Sequence, residues 1–276
     1  MSGTLTYAPL ESRSLIAIGG PDWRGFLQNL ITQDVETLAP GEARFGALLT
    51  PQGRLLWDLF VVGREDGTAW LDVEAVHRDA LIQRLAIYRL RAKVEIAAVE
   101  TPVACLYGAG EAPAGWVKDP RLPALGWRGY GLEAPAGAAV ATEDARERFK
   151  LELGVPGPAD WGSDRTYPIE ANFDLLNGID FQKGCFVGQE TTSRMKRRGT
   201  VKSRMLPIDF DGPVPSAGSE ILNGTLRAGE VLSGRGGSAM ALVRLDRIEG
   251  ELTVDGRPVR VRKPAWFPER SQAAAL

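Results

Sequence analysis

The stretch KGCFVGQE, residues 183–190, sets a thiol between a lysine and flanking glycines. The run that follows, GQETTSRMKRR, reads as a helix stopped by Gly199. A thiol just ahead of a helix N-terminus meets the positive end of the aligned amide dipoles. Lys183 adds a cation, and both effects favour thiolate. Gly184 and Gly188 remove side chains on either side of Cys185, so a ligand or partner can approach the backbone closely. Two readings stay open on these residues alone: a reactive cysteine, or a small buried residue in a tight strand-to-helix turn. The basic run Arg194, Lys196, Arg197 and Arg198 is open in the same way, between an anion site and a solvated helix face.

The rest of the composition removes competing chemistries. With a single histidine, a Ser-His-Asp triad would have to use His77, and a zinc site with two histidines is excluded. His77 lies in VEAVHRDALIQRLAIY, where it reads as a solvated residue at a helix start. Two cysteines, Cys105 and Cys185, cannot build a disulfide framework and point to a reducing, cytoplasmic location. A formal net charge of −2 gives no basic field for nucleic acid. No apolar run approaches the ~20 residues of a membrane span. The opening residues, MSGTLTYAPLESRSL, lack a basic stretch followed by an apolar one, so no secretory leader is expected.

The elements that must position these residues follow from periodicity. Residues 14–18 form a short apolar strand, and Pro21 and Asp22 mark a helix start. Trp23, Phe26, Leu27, Leu30 and Ile31 then line one helical face, expected to be core. ARFGALL, RLLWDLFVV and TAWLDV, separated by TPQG and REDG, read as a meander. Val76, Leu81, Leu85 and Tyr88 predict a second amphipathic helix, followed by the strands AKVEIAAV and PVACLYG, with Cys105 as a buried core thiol. Short strands are expected near GWVKD and ALGWRGYGL among Gly- and Pro-rich loops. TEDARERFKLELG is a helix with Thr142 as cap and Gly154 as stop. IEANFDLL reads as a short helix that Asn177-Gly178 can end in a left-handed cap. After residue 200, turns every 8 to 12 residues indicate a small β-barrel or sandwich. The class is α+β.

KGCFVGQE resembles the K-G-C-[YF]-x-G-Q-E signature of the YgfZ family, which is related to the glycine cleavage T-protein (aminomethyltransferase). PIEAN before it and TTSRMKRRG after it are also similar to that family, especially to its mitochondrial iron–sulfur assembly branch. FLQNLITQDV, LLTPQGRLLWDLFV and AGEVLSGRGGSAMALVRL extend the resemblance through most of the chain. The resemblance implies a T-protein-like folate-binding region over 1–200. Within it, two α+β subdomains (one inserted at 42–140) surround a central cavity, and a C-terminal β-barrel follows at 201–276. It implies a protein that binds tetrahydrofolate or a one-carbon derivative and serves assembly or repair of iron–sulfur enzymes. Partners would be iron–sulfur assembly or client proteins.

By position, Lys183, Cys185, Gln189 and Glu190 carry the signature, with Asn172 and Arg194 next. Asp58, Glu170 and Glu190 are the acids that would face a pterin donor edge, and Arg194 and Arg198 the cations for its glutamate tail. Cys185 would make a transient contact with a cluster, a partner or small thiol supplying the other ligands because one thiolate cannot hold a cluster, or it would act in redox or carbon-transfer chemistry instead. Two alternatives remain: a folate-dependent one-carbon (aminomethyl-type) transferase, and a folate scaffold without chemistry. T-proteins carry paired acids where this chain has Trp57 and Asp58, so glycine-cleavage activity is not expected.

Overall fold

A computed structural model describes residues 4–197 and 201–268. The chain groups into two compact units. The first comprises Met1–Pro51, Leu56–Arg146 and Leu176–Gln189, the second Gln52–Leu55, Glu147–Leu175 and Glu190–Leu276.

In the first unit the chain runs through β1 (Leu5–Pro9), β2 (Arg13–Gly19), α1 (Trp23–Gln28), β3 (Ala43–Leu49), β4 (Leu55–Gly63) and β5 (Ala69–Glu74). It continues through α2 (Arg78–Arg89), β6 (Glu95–Val99), β7 (Val103–Gly108), β8 (Val117–Lys118), β9 (Trp127–Tyr130) and β10 (Ala139–Val140). The strands make two five-stranded sheets, ordered β3-β4-β5-β2-β6 and β10-β1-β7-β9-β8. Strand alternation gives the first sheet two different faces. Ile16, Ile18, Leu59, Val61, Leu71 and Val73 point to one side and pack with Trp23 and Leu27 of α1 and Leu81 and Leu85 of α2.

The opposite face is charged. Phe60 and Asp72 are direct cross-strand partners, and Leu15 stands opposite Asp72 on its other side. Asp72 is fully buried and accepts from Arg13 Nε at 2.7 Å, from the Arg128 guanidinium of the second sheet, and from the Tyr130 hydroxyl at 3.1 Å. Arg13 also reaches Asp58 at 3.0 Å. Asp119 holds Arg121 through Nε at 3.0 Å and Nη2 at 2.7 Å. The Phe60 ring lies among three guanidinium groups, with Arg128 at 3.9 Å, Arg121 at 4.9 Å and Arg13 at 5.5 Å from its centroid. Burial pushes the Asp119 carboxyl up, but Arg121, Arg128 and Arg146 outweigh it and hold it at about 2. Asp72 is lowered in the same way, burial being outweighed by Arg128 and Arg13.

In the second unit, α3 (Glu143–Glu152, whose first residues belong to the first unit) is followed by α4 (Pro158–Trp161) and later by α5 (Gln189–Arg197). The remaining strands are β11 (Ser203–Phe210), β12 (Glu220–Asn223), β13 (Leu226–Arg235), β14 (Ser238–Arg244), β15 (Leu252–Val254) and β16 (Arg257–Val261). They close a barrel in the order β11-β14-β13-β12-β15-β16 around Leu206, Ile208, Val231, Val243 and Val254. The α+β class, the meander, α2, α3 with its Thr142 cap, and the barrel agree with the sequence.

Four local expectations need correction. α1 stops at Gln28, so Leu30 and Ile31 are buried from a turn, Ile31 bridging to Leu48. Asp22 does not cap that helix, because its carboxylate accepts the Lys93 amide at 2.7 Å. Val76 is 81% exposed and does not belong to the buried face of α2. IEANFDLL is a series of turns and not a helix, because Asn172 takes φ +62 in its middle. Asn177 is left-handed as expected, at φ +54, but caps no helix.

Asp119 is depressed in the folded state, so its stabilisation is present above the ordinary aspartate range and lost as pH falls through that range to about 2. Asp119→Asn removes the buried partner of Arg121 and should cost about 3–5 kcal/mol at neutral pH. Thermal melts from pH 7 down to pH 2 check this, with the variant showing a flatter decline than the parent below pH 4.

Candidate functional site

Around Cys185 the chain is irregular, and the order of this loop comes from side chains. Asp180 accepts the amides of Gln182 at 2.7 Å and Lys183 at 3.2 Å, forming a tight turn. The Thr32 hydroxyl donates to Gly178 O at 2.6 Å, and the Gln33 amide donates to Asn177 O at 2.7 Å. The Asp180 amide donates to Thr32 O, and that of Val187 to Asn29 O. Segments 28–33 and 177–187 are thereby tied along their length.

Lys183 is the centre of that tie. Its ammonium donates to the carbonyl oxygens of Gln28 at 2.7 Å, Ile31 at 2.8 Å and Gln33 at 2.7 Å. All its protons are used on backbone carbonyls, one at the last residue of α1 and two in the segment that follows it. Burial pushes the ammonium down to about 8, against the pull of Asp34, Asp180 and Glu36. The expected role as a cation for the thiolate is thus replaced by a structural one: the three N–H groups are spent on backbone.

Past the tie, Phe186 is buried and Val187 packs against the first unit's core, while Cys185 points out and is exposed. Cys105, in β7, is fully buried as expected. α5 begins at Gln189, four residues beyond Cys185, with Gly188 at φ +81 making the turn into it. Gly188 therefore meets a backbone requirement. Gly184 does not: its φ is not left-handed, and an added Cβ would meet nothing within 4 Å.

The other predicted residues divide by how far the fold has used them. Asp58 and Gln189 belong to the first unit; Glu170, Asn172, Glu190 and Arg194 belong to the second. Asp58 is 3% exposed, with Oδ2 on Arg13 and Oδ1 buried without any partner. Asn172 is fully buried, its amide donating to Met205 O at 2.7 Å and its Oδ1 accepting from Arg204. Its polar atoms serve the fold, which corrects its reading as a ligand residue. Glu170 accepts the Tyr167 amide at 3.1 Å, and burial raises its carboxyl against Arg54 and Arg204. It lines a cavity of about 320 Å³ with Asp160, Trp161, Arg165 and Thr166. Gln189 is half-buried, whereas Glu190 and Arg194 are exposed on α5. Arg198 lies outside the described residues.

The residues missed from sequence are Arg13, Asp72, Asp119, Arg121 and Arg128. A signal existed: Asp58, Asp72 and Arg128 each interrupt an otherwise apolar strand, and charged residues are buried only when paired.

Residues 202–269 match the family model described as the CAF17 C-terminal beta-barrel domain. The chain is 32% identical to the mitochondrial iron-sulfur cluster assembly factor IBA57 homolog of Pyricularia oryzae, covering 92% of this chain and 75% of that protein. It is 29% identical to the mitochondrial iron-sulfur cluster assembly factor IBA57 of Homo sapiens, covering 95% and 85%. The glycine cleavage system aminomethyltransferase T of Bartonella henselae has the same fold, with a TM-score of 0.77 at 18% identity over 96% of this chain and 86% of that one. The relatives are mitochondrial proteins, which overturns the cytoplasmic location expected from cysteine usage.

Lys183→Met should cost about 2–4 kcal/mol, since three half-buried carbonyls lose a charged donor. Gly184→Ala should stay within about 0.5 kcal/mol of the parent. Denaturant titrations measure both. In the native protein iodoacetamide should label Cys185, and Cys105 only after unfolding; mass spectrometry of each peptide reads this out.

Proposed function

The chain belongs to the IBA57 family of iron–sulfur cluster assembly factors, and from that membership we propose that it serves the assembly or repair of iron–sulfur enzymes through Cys185. The observation that carries this reading is the placement of the thiol. Cys185 is exposed on a loop that Lys183 pins to three carbonyls, beside a glycine the fold does not need. A single thiolate supplies one ligand, so the cluster is cargo shared with a partner or a small thiol. Partners are iron–sulfur assembly or client proteins, which bring the remaining sulfur ligands. The KGCFVGQE signature extends the reading to the YgfZ family.

Tetrahydrofolate or a one-carbon derivative is the proposed small-molecule ligand. Asp58 fits it: Oδ1 is a buried acceptor with no partner in the protein, and the amino-pyrimidine edge of a pterin carries the donors it lacks. Gln189, also in the first unit, is a further acceptor for that edge. Asn172 drops out, because its amide is used within the fold. A bound folate would supply one-carbon chemistry, while these side chains bind and orient it.

Restoring an iron–sulfur enzyme's activity in an extract depleted of this protein tests the thiol. The parent protein should restore it and Cys185→Ser should not, with an unchanged melting temperature. Full restoration by Cys185→Ser would remove the thiol from the function. Calorimetric titration with tetrahydrofolate tests the ligand separately, and Asp58→Asn should weaken binding by at least about tenfold, as expected for loss of a charge-assisted hydrogen bond. No heat with the parent protein would sink the folate reading and leave the thiol reading standing.

A further inference from the structure

Arg13 opens β2, and Asp58 lies two strands away on β4, with β5 between them. At the usual strand spacing that separation is about 10 Å, so the arginine reaches the acid only by lying across β5. It is anchored on the way. Nε donates to Asp72 Oδ1 at 2.7 Å and Nη2 donates to Asp72 O at 2.7 Å, both on β5. A guanidinium is planar, so two anchored nitrogens fix the direction of the third. That third nitrogen, Nη1, donates to Asp58 Oδ2 at 3.0 Å. Asp72 is itself held from the second sheet by Arg128 Nε at 2.8 Å and by the Tyr130 hydroxyl at 3.1 Å.

Neutralising buried acids does not account for this geometry. An ion pair made for charge balance uses both carboxylate oxygens in a fork, the stronger arrangement. Arg121 grips Asp119 in that way, and Arg204 grips Asp174. Asp58 has only Oδ2 on a guanidinium, while Oδ1 is equally buried and has no partner. Each of the three Arg13 nitrogens is engaged by Asp72 or Asp58, so the arginine turns one oxygen of Asp58 toward itself and leaves the other over.

We propose that Arg13 is a positioning residue of the small-molecule site, holding Asp58 so that Oδ1 is turned to the donor of the ligand. It acts through the carboxylate and not on the ligand. A lysine in its place brings the charge without the two anchors and leaves the plane of the acid free to turn. The inference rests on the folate reading of Asp58 and adds to it a residue far from the KGCFVGQE signature.

The test is calorimetric titration of the full chain with tetrahydrofolate, run as a double-mutant cycle. Arg13→Lys should weaken binding at least about fivefold. The double variant Arg13→Lys/Asp58→Asn should bind within about twofold of Asp58→Asn alone, because the arginine has no effect once the carboxylate is gone. A residue that merely supports the fold gives losses that multiply, and a multiplied loss would overturn the proposal. So would parent-like binding by Arg13→Lys while Asp58→Asn is weakened, an outcome that leaves the folate reading intact. If Arg13→Lys does not fold, Asp58→Glu asks the same question without touching the arginine. It keeps the acid but moves the free oxygen by one methylene, and it should weaken binding about tenfold; parent-like binding would show that the position of the oxygen is immaterial and would overturn the proposal. No heat with the parent protein would overturn it together with the folate reading.

Discussion

A carboxylate sealed from water must be neutralised by the protein, and Asp72 takes its partners from two sheets at once. Arg13 comes from its own sheet and Arg128 from the other, with the Tyr130 hydroxyl completing the shell. An isolated buried charge would cost far more than the fold can supply, so the sheets cannot separate without stranding it. Phe60 helps the arrangement by offering one ring to three guanidinium groups, which keeps mutually repelling cations in place around an apolar surface. The network specifies how the sheets meet. An apolar interface of equal area would tolerate sliding, whereas forked guanidinium contacts hold only in register.

That constraint explains the unusual state of Asp58. Arg13 is shared between two acids, and its Nε and Nη2 already serve Asp72, leaving Nη1 for Asp58. Asp58 thus receives one bond where a buried carboxylate accommodates several, and its Oδ1 is an acceptor held in place with nothing to accept. Such an atom is costly for folding alone. A ligand with a matching donor turns the cost into recognition, and a rigid surrounding network is what keeps the acceptor oriented.

Periodicity made most of the fold legible. The meander and the inward face of α2 follow one period over enough residues to be read directly, while the turn spacing after residue 200 gave short strands and left barrel against sandwich to the structure. The segment IEANFDLL defeats that reasoning, because its apolar residues do become core while Asn172 turns the backbone left-handed between them. Its side chain, bonded to Met205 O and Arg204, is what holds that conformation, and both partners lie more than thirty residues away in sequence. Beyond the end of α1 the chain is held by Lys183, which takes the carbonyls of Gln28, Ile31 and Gln33 from some 150 residues away in sequence. Neither long-range partner leaves a trace in local spacing.

The signature at 183–190 consequently mixes residues with different tasks. Lys183 and Gly188 are accounted for by the fold, one through carbonyls and one through its backbone angle. Phe186 and Val187 are accounted for by burial and packing. Gln189 and Glu190 open α5, and what remains is Gly184, with open space over its α-carbon, and the exposed thiol of Cys185 next to it. Read from the lysine alone, the motif suggests an activated nucleophile; once the lysine's protons are traced to backbone carbonyls, the loop reads as a rigid mount. An exposed thiol needs such a mount to keep its place, and the ammonium that supplies it is held by three carbonyl dipoles. The use of Lys183 as a structural tie therefore fixes where the exposed thiol of Cys185 stands.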